Sequence, residues 1–125
     1  MSKRVLICDD SVLMRNMIRE TLSAGGWEIV GEACDGNEAI EMFKALAPDA
    51  VTMDIVMPEV DGLIALRGII ELEPQAKVVM ISALDQTKAI TDAIRAGAQD
   101  FIVKPFLPEQ LLQTMECYAD ASVAV

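Results

Sequence analysis

Four polar features each follow a short apolar run: Asp9-Asp10 after residues 5–8, Asp54 after 50–53, Ser82 after 78–81 and Lys104 after 101–103. If the runs are strands of one parallel sheet, these residues share the carboxyl edge, where α/β sheets bind their ligands. If the first and third strands are also neighbours, three carboxylates meet in one crevice, with a hydroxyl and an ammonium at its rim. Carboxylates that close raise one another's pKa, so a cation must belong to the design. Oxygen-only ligands suit a hard ion, and a site leaving room for waters and a phosphate oxygen suits Mg²⁺. Lys104 adds a permanent positive charge that can hold a phosphoryl oxygen or pair with Asp54, and the Ser82 hydroxyl can rotate between partners. One carboxylate then remains free to attack an electrophilic phosphorus, giving an acyl phosphate. Asp54 stands alone at its strand end and is the better nucleophile. The adjacent pair Asp9-Asp10 is better placed to hold the ion.

Each residue also has an ordinary structural reading. Asp9, Asp10 and Ser11 can cap a following helix, Asp54 can belong to the turn before Met57-Pro58, and Lys104 can be a solvated loop lysine before Pro105. Capping does not require an acid, a hydroxyl and a lysine at three further strand ends. The joint placement therefore favours a site.

The elements that must position these groups alternate five times. Strands are expected at residues 5–8, 29–33, 50–53, 78–81 and 101–103. Between and after them the period of apolar residues becomes helical. Leu13, Met14, Met17, Ile18 and Leu22 form one face of a first helix, opposite Arg15, Asn16, Arg19 and Glu20, with Ser11 as cap and Gly25-Gly26 as stop. Ala39, Ile40, Phe43 and Ala47 mark a second helix ending before Pro48. Leu63, Leu66 and Ile70 mark a third ending before Pro74, and Ala89, Ile90, Ala93 and Ile94 a fourth closed by Gly97. A fifth begins at Pro108 and turns Leu111, Leu112 and Met115 inward. Strands this uniformly apolar, separated by helices, indicate a doubly wound α/β fold with a parallel sheet covered on both faces. One domain is expected over residues 1–119, with a short tail at 120–125.

The chain has 125 residues, 53% of them hydrophobic, enough for a single core. Its 20 acidic and 10 basic residues argue against nucleic acid and anionic membrane as partners. Cys8, Cys34 and Cys117 match neither a disulfide framework nor zinc spacing, so they are expected to be reduced and mostly in the core, in a cytoplasmic protein. No apolar run approaches a membrane span.

The motifs VLICDDS, VTMDIVMPEVDG, VVMISA and AGAQDFIVKPF, in this order and spacing, resemble the response-regulator receiver family, and its CheY-like chemotaxis members in particular, over residues 3–118. The resemblance implies a flavodoxin-like (βα)5 fold with strand order 2-1-3-4-5, an order for which chemotaxis receivers are a standard example and which periodicity does not dictate. It implies that Asp54 accepts a phosphoryl group from a histidine kinase, the protein catalysing its own phosphorylation and dephosphorylation without being an enzyme on other substrates. Asp10, Asp54 and the backbone carbonyl of Val56 would ligate Mg²⁺, with Asp9 acting through a metal-bound water. Ser82 and Lys104 would contact the phosphoryl group, and Pro105 would follow Lys104 through a cis peptide bond. Phosphorylation would draw Ser82 inward and Phe101 after it, altering the surface of helix four, strand five and helix five. The implied target is another protein, unless the chain is a fragment of a longer regulator: a flagellar-motor switch protein, or alternatively a phosphotransfer protein in a relay.

The sequence departs from the family pattern in places. Phe101 stands where chemotaxis members often carry Tyr, so no hydroxyl is available there. Val56 and Leu84, two residues beyond Asp54 and Ser82, are apolar where several relatives are polar, which predicts slow loss of the phosphoryl group. Trp27, the sole tryptophan, lies at the opposite edge from the site. Among rivals, a haloacid-dehalogenase-type phosphatase needs a second acid where Val56 stands. A flavin carrier needs a phosphate loop where Asp9-Asp10 would repel phosphate, and no P-loop appears.

Overall fold

In the computed structural model, which describes residues 3–84 and 87–119, all five apolar runs form strands and all five periodic segments form helices. They are β1 (Arg4–Cys8), α1 (Val12–Ala24), β2 (Glu28–Ala33), α2 (Gly36–Leu46), β3 (Ala50–Met53), α3 (Gly62–Leu72), β4 (Val78–Ser82), α4 (Thr87–Arg95), β5 (Asp100–Val103) and α5 (Pro108–Glu116). The strands make one parallel sheet in the order β2-β1-β3-β4-β5.

Because side chains alternate along a strand, each strand feeds two cores. Val5 and Ile7 of β1, Val79 and Ile81 of β4 and Ile102 of β5 meet Ile18 and Leu22 of α1 and Leu111 and Met115 of α5. On the other face, Leu6, Val51, Met53, Val78 and Met80 meet Phe43 of α2, Ala65, Leu66 and Ile69 of α3 and Ala93 of α4. The strands read as continuous apolar runs because both faces are covered.

Local signals set the helix starts. The Ser11 hydroxyl accepts from the Met14 N–H at 3.2 Å, Asp35 accepts from Glu38 at 2.9 Å and Asp61 from Ile64 at 3.0 Å, while Pro108 opens α5. Gly97 adopts φ +113° just beyond α4, a conformation open to glycine.

Several expectations need correction. Leu13, placed on the inner face of α1, is 81% exposed and Met17 is also exposed, because the stripe that meets the β1–β4–β5 core runs through Met14, Ile18 and Leu22 and leaves these two to one side. Ile94 is exposed and only Ala93 of α4 is buried, because α4 makes its main contacts with the edge strand β5 and with α3. In α3 the fully buried stripe is Ala65, Leu66 and Ile69, with Leu63 and Ile70 at its margins. Of the cysteines only Cys8 is in the core; Cys34 is half-buried and Cys117 exposed. The expected tail at 120–125 lies outside the described residues. Among the described residues, no helix is long and apolar enough to cross a membrane.

Candidate functional site

The site hangs on the ends of the sheet's hydrogen-bond ladder. Asp9 lies one residue past β1, and its N–H donates to the Ala33 carbonyl of β2 at 3.0 Å. Asp54 lies one residue past β3 and donates to the Cys8 carbonyl of β1 at 2.9 Å, while Lys104 lies one past β5 and donates to the Ser82 carbonyl of β4 at 2.9 Å. Each group is thus fixed by the strand beside its own. The order β2-β1-β3 is what sets Asp9 against Asp54.

The strand-end lysine closes the cluster. Lys104 Nζ donates to Asp9 Oδ2 at 2.8 Å and to Asp54 Oδ2 at 2.9 Å, a double pairing where the sequence suggested Asp54 alone. The other oxygens are held locally: Asp9 Oδ1 accepts from the Ser11 N–H at 2.9 Å and Asp54 Oδ1 from the Val56 N–H at 3.3 Å. Asp9 and Asp54 are almost inaccessible, at 1% and 6% exposure, whereas Asp10 is exposed and its carboxylate has no hydrogen-bond partner among the described residues. Carboxylate oxygens of Asp9, Asp10 and Asp54 lie within 4.8 Å of one another.

Burial holds the Asp9 carboxyl above its ordinary value, against the opposing pull of Lys104 and the Ser11 N–H, and the charge of Asp54 adds to the rise. Burial, the largest influence on Lys104, pulls its ammonium down, but the bonds from Asp9 and Asp54 together with their charges outweigh it and leave it raised. One ammonium cannot balance three carboxylates. An all-oxygen set with one carboxylate free to ligate fits a hard divalent cation such as Mg²⁺, with Asp10, Asp54 and Asp9 as the residues that would hold it. A second acidic group, Cys34, Asp35 and Glu38, has a structural account: Asp35 accepts from the Glu38 N–H and Glu38 from the Cys34 N–H, a reciprocal cap on α2.

The remaining expected residues lie on β4, β5 and the loops that follow β3, β4 and β5. Ser82 is fully buried, its hydroxyl accepting from the Leu84 N–H at 3.3 Å. Val56 is 61% exposed and Leu84 is also exposed, so both present apolar surface beside the acids. Phe101 is half-buried against the α2–α3–α4 core, and Lys104–Pro105 is a cis peptide bond. Capping proves compatible with the site: Ser11 caps α1, and Asp9 supports the turn through the Ser11 N–H.

Two contributors escaped the sequence reading. A Cβ on Gly62 would lie 1.8 Å from the Asp54 carbonyl oxygen, so only glycine lets the start of α3 rest on the backbone of Asp54. Arg15, assigned to the outer face of α1, donates from Nη1 to the Asp9 carbonyl at 2.6 Å. An arginine on the polar side of an amphipathic helix carries no signal that separates this role from solvation.

Comparison with known proteins gives consistent results. Residues 5–116 match the response regulator receiver domain family. The chain is 47% identical to the chemotaxis protein CheY of Thermotoga maritima and 48% identical to that of Bacillus subtilis, in each case across 92% of this chain and 96% of the relative. Its fold superposes on a CheX–CheY–BeF3–Mg²⁺ complex from Borrelia burgdorferi with a TM-score of 0.89 at 38% identity, covering 98% of this chain and 90% of that one. The response regulator domain of Thermotoga maritima CheB gives 0.88 at 35% identity, covering 94% and 96%.

Proposed function

Since the chain belongs to the response-regulator receiver family and is a CheY-like receiver domain, we propose that it accepts a phosphoryl group from a histidine kinase onto Asp54 and passes the signal to another protein in the cytoplasm. The observation that carries this reading is the asymmetry of the acids. Asp9 is tied on both oxygens by Ser11 and Lys104, Asp10 is exposed and has no partner among the described residues, and Asp54 carries Lys104 on one oxygen within reach of both.

In the transfer, an oxygen of the Asp54 carboxylate bonds to phosphorus as the phosphorus–nitrogen bond to the donor imidazole breaks, and the electron pair leaves with that nitrogen. Lys104 is placed to follow the phosphoryl oxygens while keeping its bond to Asp9. Bound at Asp9, Asp10, Asp54 and the Val56 carbonyl, Mg²⁺ would supply positive charge against the phosphoryl oxygens. The Ser82 hydroxyl, now engaged only with the Leu84 N–H, can turn toward the new oxygens. Its movement leaves room for Phe101 to turn inward beneath α4, an element with one buried residue and therefore inexpensive to shift. The surface of α4, β5 and α5 is the output, and a flagellar-motor switch protein is the partner that chemotaxis relatives suggest.

Intact-mass measurement after incubation with acetyl phosphate tests this reading. A phosphate-sized gain is expected with Mg²⁺ and none with EDTA; absence of any gain from acetyl phosphate and from a phosphohistidine donor alike would overturn it. The apolar rim predicts a long-lived product, since neither Val56 nor Leu84 can orient an attacking water. Val56→Asn and Leu84→Glu are each expected to speed loss of the phosphoryl group about tenfold, less than full general-base catalysis provides. Unchanged decay, followed by mass, would refute that role.

A further inference from the structure

The direction of Asp10 is set through its backbone. Its carboxylate has no partner among the described residues, so the two peptide planes flanking it must aim it. The plane after Asp10 is held by the Ser11 N–H donating to Asp9 Oδ1 at 2.9 Å. The plane before it contains the Asp9 carbonyl, which accepts from Arg15 Nη1 at 2.6 Å. Arg15 is itself gripped: its Nε lies 3.4 Å from Glu32 Oε1 near the end of β2, and Glu32 Oε2 accepts from Arg19 Nη1 at 2.8 Å. The Arg15 side chain is only 17% exposed, and its planar fork serves the carboxylate and the carbonyl together, which an ammonium could not do in the same way.

We propose that Arg15, braced by Glu32, is the positioning residue that aims Asp10 at the metal. This rests on the reading of the acid cluster as a Mg²⁺ site. Arg15 touches neither phosphorus nor the reacting oxygen; it fixes the backbone from which a ligand projects. Geometry and charge make opposite predictions here. As a nearby positive charge, Arg15 would oppose a cation, and its removal would tighten Mg²⁺ binding. As a brace, its removal frees the plane before Asp10 and weakens binding, in the way outer partners of metal ligands typically act.

Calorimetric titration with Mg²⁺ alone, beside thermal unfolding in EDTA, separates the two. Arg15→Ala is expected to bind Mg²⁺ about tenfold more weakly than wild type. Arg15→Lys, which keeps the charge and can still donate but lacks the planar fork, should fall between them, and Glu32→Gln should weaken binding by a smaller factor. In an Asp10→Asn background, Arg15→Ala should change the affinity less than about twofold, because the group it aims no longer ligates in the same way. Unchanged or tighter binding by folded Arg15→Ala would overturn the proposal, as would an equal loss with and without the Asp10 carboxylate. Should Arg15→Ala fail to fold, wild-type affinity in both Arg15→Lys and Glu32→Gln would overturn it. Failure of wild type itself to bind Mg²⁺ would instead remove the metal-site reading, and this inference with it.

Discussion

Asp54→Asn is expected to abolish uptake of phosphate from acetyl phosphate and Mg²⁺, with initial rates at least about 10³-fold below wild type, the scale on which losing a nucleophile acts. Asn keeps the size of Asp and one oxygen, which can accept from Lys104 or from the Val56 N–H in place of the two separate oxygens that now do so, so the pocket has no steric reason to collapse. What is lost is the carboxylate oxygen able to bond phosphorus. The neighbours are poor substitutes for different reasons: Asp9 has both oxygens engaged and is 1% exposed, while Asp10 is accessible but is the carboxylate left open for the cation. A time course of intact mass, with unfolding curves to show the variant is folded, measures the effect. A phosphate-sized gain at wild-type rate in Asp54→Asn would sink the assignment of the phosphoacceptor. Slow gain mapped to Asp10 would show that the division of labour among the three acids is wrong.

Much of this pocket was legible because its parts lie where strands stop. A buried parallel strand is an uninterrupted apolar run, so the first polar residue after it marks the carboxyl edge, and Asp9, Asp54 and Lys104 each sit one residue past a strand. Strand order was not legible in the same way: periodicity says that β1 and β3 are strands, and the family resemblance made them neighbours. Helical periodicity identified α1 and α4 but overestimated their burial, since Leu13, Met17 and Ile94 keep the spacing of a packed face yet lie to one side of the stripe that is buried, Ile18 and Leu22 in α1 and Ala93 in α4. Long-range polar contacts were the least visible. Nothing in the residue types distinguishes Arg15, bonded to the Asp9 carbonyl and Glu32, from Lys44 or Arg67, and nothing foretells that Lys104 serves Asp9 as well as Asp54.

Lys104→Met tests that double pairing, and its effect should depend on the metal. Methionine preserves the apolar stem and removes the charge, leaving Asp9 and Asp54 facing each other where little water reaches. Removing one partner from a buried ion pair typically costs 3–5 kcal/mol, so in EDTA near neutral pH the variant is expected to be about 3 kcal/mol less stable than wild type. Saturating Mg²⁺ should recover at least half of the deficit, and Mg²⁺ should bind about tenfold tighter, because no ammonium competes for the two Oδ2 atoms. The pH dependence in EDTA carries a further signature. Lys104 is raised in the folded state, so its contribution is fully present below its ordinary 10.5 and disappears as pH rises through the raised value. Asp9 is also raised, so its ionisation costs stability as pH climbs from 3.8, and without Lys104 that cost starts at the same pH but keeps growing to higher pH and becomes larger. The two stability curves should therefore diverge in the middle of the range and converge at both ends. Chemical unfolding across pH, with and without Mg²⁺, measures all of this. A deficit that persists unchanged below pH 3.8, or that Mg²⁺ leaves untouched, would mean that Lys104 stabilises the fold through packing and not through the charge it places between two buried acids.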